Sequence, residues 1–270
     1  MENIDINELK KIQLKIMDEI DSFCRKNGFH YFMNYGTLIG AVRHKGYIPW
    51  DDDVDITMPR DEYDRFIIEF NKNRSNSFRA VSVANDPDYY LPFAKVVDTA
   101  TVMKESATVD HEIGVYVDVF PMDRLPKITK KEERVLKRIS LYRKLLVLKT
   151  VKVDFKRSPV KNLILFVSHL LLKPFSFMAL IKKMDSLSQK YNNNAKCVYT
   201  GFFASQTSVK ENLWEIDWFG EGVDVPFEGR SYIAPKNYDA VLKKTYGDYM
   251  QPPPREQQVS HHSFTAYYKR

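Results

Sequence analysis

The apolar pattern of this chain changes twice, and those changes limit the folds open to it. Short apolar runs bounded by turn residues fill the first stretch, and from Lys130 onward long helical runs take over, Lys130–Lys149, Pro159–Leu172 and Phe175–Tyr191, before short runs return near Val198. Pro159 and Lys173-Pro174 separate the helical runs. The expected class is therefore α+β: a mixed sheet with flanking helices and an α-helical insertion, divided as residues 1–126 for the core, 127–196 for a basic helical insertion and 197–270 for a C-terminal part that completes the core.

Within the first stretch, Asn7 to Lys26 carries apolar residues at near-helical spacing and stops at Gly28. Phe29–Met33 reads as a strand, Tyr35-Gly36-Thr37 as a turn into a helical stretch Leu38–Arg43, Val54–Met58 as a strand and Asp61–Phe70 as a helix behind Pro59. Further strands are expected at Phe78–Ala84, Phe93–Val97, Thr101–Met103 and Ile113–Phe120, and near the end at Val198–Phe203 and Phe227–Ala234, followed by a helix over Asn237–Tyr246. The order favours a mixed or antiparallel sheet over a doubly wound parallel one.

Charge is unevenly placed. Lys127 to Lys196 holds 18 Lys and Arg against 4 Asp and Glu, a net +14, and since the whole chain carries +6 the remainder stands at −8. A basic catalytic cleft for nucleic acid is not what this distribution describes. Cys24 and Cys197 stand far apart without metal-ligand spacing and read as buried thiols, not as a disulfide or zinc site. The polar start, Met1 to Gln13, has no secretory-signal pattern, so a cytoplasmic address is expected.

The chemistry-bearing run is Ile48-Pro49-Trp50-Asp51-Asp52-Asp53-Val54-Asp55-Ile56. If the segment is extended, Asp51, Asp53 and Asp55 share one face and Asp52 takes the other. Carboxylates converging in this way repel unless a cation sits among them, and hard oxygen ligands suit Mg²⁺ or Mn²⁺. The competing reading is an acidic surface turn; an EF-hand is excluded because Met58-Pro59-Arg60 lacks the required Gly and Glu. Just upstream, Gly36 and Thr37 open a helix, where backbone N–H groups and a hydroxyl can meet a phosphate, and Arg43 can grip one bidentately; the alternative is an ordinary turn and a cationic helix end. Asp118, sharing a strand face with Tyr116 and Phe120, is a candidate metal ligand or general base, or else a carboxylate paired with a cation. Lys95 is a phosphate-binding candidate or a solvated strand lysine.

The stretch from Tyr35 to Ile56, with Gly114–Pro121 and the late Tyr246-Gly247-Asp248-Tyr249-Met250 ahead of Pro252-Pro253, resembles the signature of the LicD family of phosphocholine transferases and their fukutin-related relatives. The resemblance implies a nucleotidyltransferase-like fold in which Gly36 and Thr37 match a phosphate-binding turn and Asp53 and Asp55 a metal-binding pair. It further implies attack of a sugar or polyol hydroxyl on the β-phosphate of a CDP-alcohol, CDP-choline foremost, with release of CMP and a glycan or lipid-linked saccharide as acceptor. It does not assign Asp118, Lys95, Arg255, His261 or His262. A nucleotidyltransferase moving the nucleotide itself and a non-catalytic, metal-stabilised glycan-binding module are the competing functions.

Within the helical insertion, Val160 to Leu172 is too short to span a bilayer. It is expected either to lie on an anionic membrane surface, with Arg157, Lys161, Lys173, Lys182 and Lys183 toward lipid phosphates, or to be buried in the insertion.

Overall fold

The computed structural model describes residues 2–72, 77–105, 112–152, 158–205, 211–259 and 264–269. Helix α1, Ile6–Asn27, is N-capped by Asp5, whose carboxylate accepts the Glu8 amide at 2.8 Å, and ends at Gly28 in the left-handed conformation. Its apolar stripe, including Leu9, Ile12, Ile16, Met17 and Ile20, is buried against the sheet.

Seven strands form the main sheet. β1 (Phe32–Met33), β2 (Asp55–Pro59), β6 (Tyr116–Pro126), β4 (Ala94–Asp98) and β3 (Phe78–Val81) lie in that order, while β7 (Cys197–Gly201) pairs with the far half of β6 and β8 (Trp214–Glu215) pairs with β7. Among the described residues only β2 and β6 run parallel, so the sheet is mixed, as the order of runs along the chain implied. β5 (Thr101–Glu105) leaves this sheet and pairs with β11 (Phe264–Tyr268), a strand the sequence reading did not anticipate.

Other runs shift for physical reasons. β1 is only two residues long because the chain turns into α2, Tyr35–Ile39, straight after Asn34, whose side chain accepts the Tyr35 amide. Gly36 and Thr37 consequently lie inside the first helical turn, and Gly40–His44 continues it as one wider turn. The run Phe227–Ala234 is two strands, β9 (Val223–Phe227) and β10 (Arg230–Ala234), joined at Glu228 and Gly229, both with positive φ, as in the tight turns of hairpins.

α3 (Arg60–Lys72) backs the sheet, and α7 is Tyr238–Tyr246. The helical runs fold as α4 (Lys130–Thr150), α5 (Pro159–Leu172) and α6 (Phe177–Ser188). α4 starts with a capping box between Thr129 and Glu132. Ile139 and Leu146 of α4 and Leu180, Ile181 and Met184 of α6 share a second apolar cluster with Phe120, Leu125, Phe202 and Phe203, so the helical layer packs onto the end of the sheet that β6 and β7 build. One buried ion pair bridges these parts. Arg60 donates to both Asp123 carboxylate oxygens at 2.9 and 2.8 Å and also meets Asp185 of α6 at 2.9 Å, while Asn192 donates to Asp123 at 2.8 Å.

Candidate active site

The acidic run is not a strand throughout. β2 begins at Asp55, and the residues before it are held in an irregular path: the Asp51 amide donates to the Ile48 carbonyl at 2.9 Å, and the Gln13 side chain donates to the Asp52 carbonyl at 2.9 Å. Strict alternation therefore fails for Asp52. Its carboxylate joins those of Asp51 and Asp53, the three offering oxygens that all lie within 4.8 Å of one another.

Asp55 sits one step deeper, tied to the helix start twice. Its amide donates to the Thr37 hydroxyl at 2.8 Å, and its carbonyl accepts the Asn34 amide at 3.0 Å. Gly36 lets the Asp51 carboxylate come close to the helix start, since a Cβ would stand 2.5 Å from its oxygen and the carboxylate would have to move. The helix start and the acids thus meet, as the sequence reading required. The Thr37 hydroxyl oxygen accepts from the Asp55 amide, so Thr37 fixes the position of the acid strand.

Strand register extends the site across the sheet. Asp55 of β2 is level with Asp118 of β6, and Asp118 is level with Lys95 of β4. Lys95, 3% exposed and therefore not a solvated strand lysine, donates to Asp118 at 2.6 Å and lies 3.1 Å from the centroid of the Tyr116 ring. Burial first, and then the charges of Asp53, Asp118 and Asp51, hold the Asp55 carboxyl well above the usual carboxylate range, with Lys95 acting against the shift. Such an array of hard oxygen donors, with the space Gly36 leaves beside Asp51, fits a divalent cation such as Mg²⁺ or Mn²⁺.

Asp53, Asp55 and Asp118 line a cleft of about 510 Å³, whose other walls are Tyr35, Phe93, Phe120, Phe202, Tyr246, Thr245, Ser205, Asn212, Glu211 and Arg143. Phe93 and Phe120 have ring centroids 4.4 Å apart, and Phe120 and Phe202 5.2 Å. Not every candidate arrives here. Arg43 donates to the Tyr249 carbonyl at 2.5 Å and to the His44 ring at 2.9 Å, linking the wide turn after α2 to the chain beyond α7. Arg255 is exposed in a short helical turn, and His261 and His262 lie outside the described residues.

Sequence reasoning missed Arg143 and the aromatic wall. For Arg143 a signal existed: it occupies a position in the buried stripe Val135, Ile139, Arg143, Leu146 of α4, where an apolar residue would be ordinary. Of the aromatics, Phe120 shares a strand face with Asp118, but Phe93 and Phe202 carry no such signal, because they come from separate loops.

Residues 28–166 match the family described as LicD/FKTN/FKRP, nucleotidyltransferase domain. The lipopolysaccharide cholinephosphotransferase LicD of Haemophilus influenzae is 30% identical over 278 aligned positions, covering 99% of this chain and 99% of that protein. An uncharacterised protein of Rickettsia typhi is 40% identical over 119 residues, 44% of this chain. A match of this extent, over a chain whose acid cluster and helix start form one site, makes the protein a member of the LicD family.

Proposed function

We propose that this protein transfers a phospho-alcohol group, phosphocholine first among them, from a CDP-activated donor to a hydroxyl of a cell-surface glycan and releases CMP. The observation that carries this reading is the conjunction of the acid cluster with an aromatic cleft, in a chain similar from end to end to a protein named as a lipopolysaccharide cholinephosphotransferase. The nucleotidyltransferase-like description of the core belongs to the same reading, supported by the domain name of the family.

In this mechanism the acceptor oxygen forms a bond to the β-phosphorus and the bond to the CMP oxygen breaks, so a phosphodiester and CMP result. Asp51, Asp53, Asp55 and Asp118 would hold Mg²⁺ or Mn²⁺, which when bound neutralises the diphosphate and the departing CMP. Lys95 keeps Asp118 aimed through their 2.6 Å contact, and Asp118 or Asp53 takes the acceptor proton. Thr37 and Asn34 hold the Asp55 backbone in place. The rings of Phe93, Phe120 and Phe202 suit a quaternary ammonium, which aromatic faces attract by about 0.5–2 kcal/mol each.

The test is product analysis with CDP-choline, CDP-ribitol and CDP-glycerol in the presence of Mg²⁺. CMP as the released nucleotide supports the reading. Pyrophosphate release from a nucleoside triphosphate, with no CMP from any CDP-alcohol, would transfer the site to nucleotidyl chemistry.

We also propose that α5 rests on the anionic cytosolic face of a membrane, where a lipid-linked acceptor would be found. Among the described residues no single helix is long and apolar enough to cross a bilayer, and α5 and α6 meet at 86°. Burial of α5 inside the insertion does not describe it: Leu163, Ile164, Phe166, Leu170 and Leu171 are each more than half exposed, and only Leu165 and Leu172 are buried. No Asp or Glu occurs from Phe155 to Met184, whereas Lys161, Lys173, Lys182 and Lys183 are exposed. An apolar face within a purely cationic setting suits an anionic lipid surface. Sedimentation with phosphatidylglycerol vesicles is expected to carry the protein down, and replacing these four lysines by Gln is expected to reduce binding roughly 1,000-fold, at ~1 kcal/mol per lysine near the surface. Absence of vesicle binding, together with concentration-dependent self-association, would assign the face to a second copy instead.

A further inference from the structure

Among the described residues, two buried arginines are treated in opposite ways. Arg60 is bidentate to Asp123 and also meets Asp185. Arg143 is 7% exposed, yet it makes no hydrogen bond or ion pair among the described residues, and its Nε is buried without a partner. Burial alone pulls its guanidinium down to about 10, because no anion offsets the lost hydration. A cation in this situation lowers stability unless something arrives to pair with it.

The place of Arg143 says what that is. It lines the same cleft as Asp53, Asp55 and Asp118, but it comes from α4 of the helical insertion, not from the sheet. The protein carboxylates in the cleft leave it unpaired, so its partner is brought in from outside. A planar guanidinium is matched best by two oxygens of one oxyanion, and rings such as Phe120 and Phe202 nearby lower the local polarity and strengthen the contact.

We propose that Arg143 is a phosphate-binding residue of this cleft, gripping a substrate phosphate from the wall that α4 supplies. The proposal rests on the phosphotransfer reading above and deepens it. The helical insertion then takes part in substrate recognition as well as in packing, since it supplies a charge that the sheet lacks. The phosphate can belong to the nucleotide donor or to a phosphorylated saccharide acceptor, and the two are separable.

The experiment compares the full chain with R143M and R143K, in Mg²⁺, by calorimetric titration with CMP and with glucose 6-phosphate, alongside the melting temperature without ligand. R143M is expected to bind phosphate ligand at least tenfold more weakly, R143K to recover part of that loss, and the unliganded R143M protein to melt at the same temperature or higher, since an unpaired buried charge has been removed. Loss confined to CMP assigns the donor phosphate, and loss confined to glucose 6-phosphate assigns the acceptor; both support the proposal. Unaltered binding of both ligands overturns it, as does a fall in melting temperature that accounts for the binding loss. These readouts do not involve turnover, so the proposal can stand or fall separately from the CMP-release test.

Discussion

Replacing Asp53 by Asn is expected to lower transfer by more than about 100-fold while leaving the protein folded, because even the outer partners of metal ligands are commonly worth about 10–100-fold and Asp53 is proposed as a ligand itself. The substitution keeps size and removes one charge from a cluster whose oxygens lie within 4.8 Å of one another. The charge of Asp53 is also one of those opposing ionisation of Asp55. Metal-free D53N should therefore melt at or above the wild-type temperature, whereas Mg²⁺ should raise its melting temperature less than it raises that of the wild type. CMP release from CDP-choline and thermal melts with and without Mg²⁺ check both halves. Near-wild-type turnover in D53N would remove the acid cluster from the mechanism.

Asp123→Ala is expected to have the largest effect on stability, about 3–5 kcal/mol, the range for breaking a buried ion pair by removing one partner. Asp123 is 1% exposed and satisfies both Arg60 and Asn192, so its loss strands a guanidinium that only Asp185 and the more distant Asp64, at 3.5 Å, still face. Urea denaturation of D123A against wild type measures it. A change under about 1 kcal/mol would mean that Asp185 and Asp64 together sustain Arg60 and that Asp123 is not needed to hold the helical layer.

The contrast between what the residues announced and what they concealed follows from the range of the interactions involved. α1, α5 and the Asp55 strand are governed by local periodicity and by nearby glycine and proline signals, and they emerge within a few residues of where the pattern placed them. The grouping of Asp52 with its neighbours was hidden because a distant side chain, Gln13, takes the Asp52 carbonyl and keeps the segment from pleating. β11 was hidden because a short edge strand is fixed by its partner β5, more than 150 positions earlier in the chain, and not by its own pattern. At the site, the resemblance and the acid run marked Asp51, Asp53 and Asp55, but only register shows that Asp118 stands level with Asp55, and Lys95 level with Asp118. Arg43 carries the same anion-binding chemistry in sequence, and only the fold shows that its Nη1 donates to the Tyr249 carbonyl.

β6 holds Asp118 toward one end and Asp123 toward the other, pairing with β2 and β4 over its first part and with β7 over its last. The chemistry and the attachment of the helices are thus two fixtures on a single rail, five residues apart. A different helical layer could be mounted on the same rail, provided that it kept an acid for Arg60 and a cation for the cleft. Under the proposed function, the acceptor could then be retuned by changing the mount, with the row of carboxylates left undisturbed.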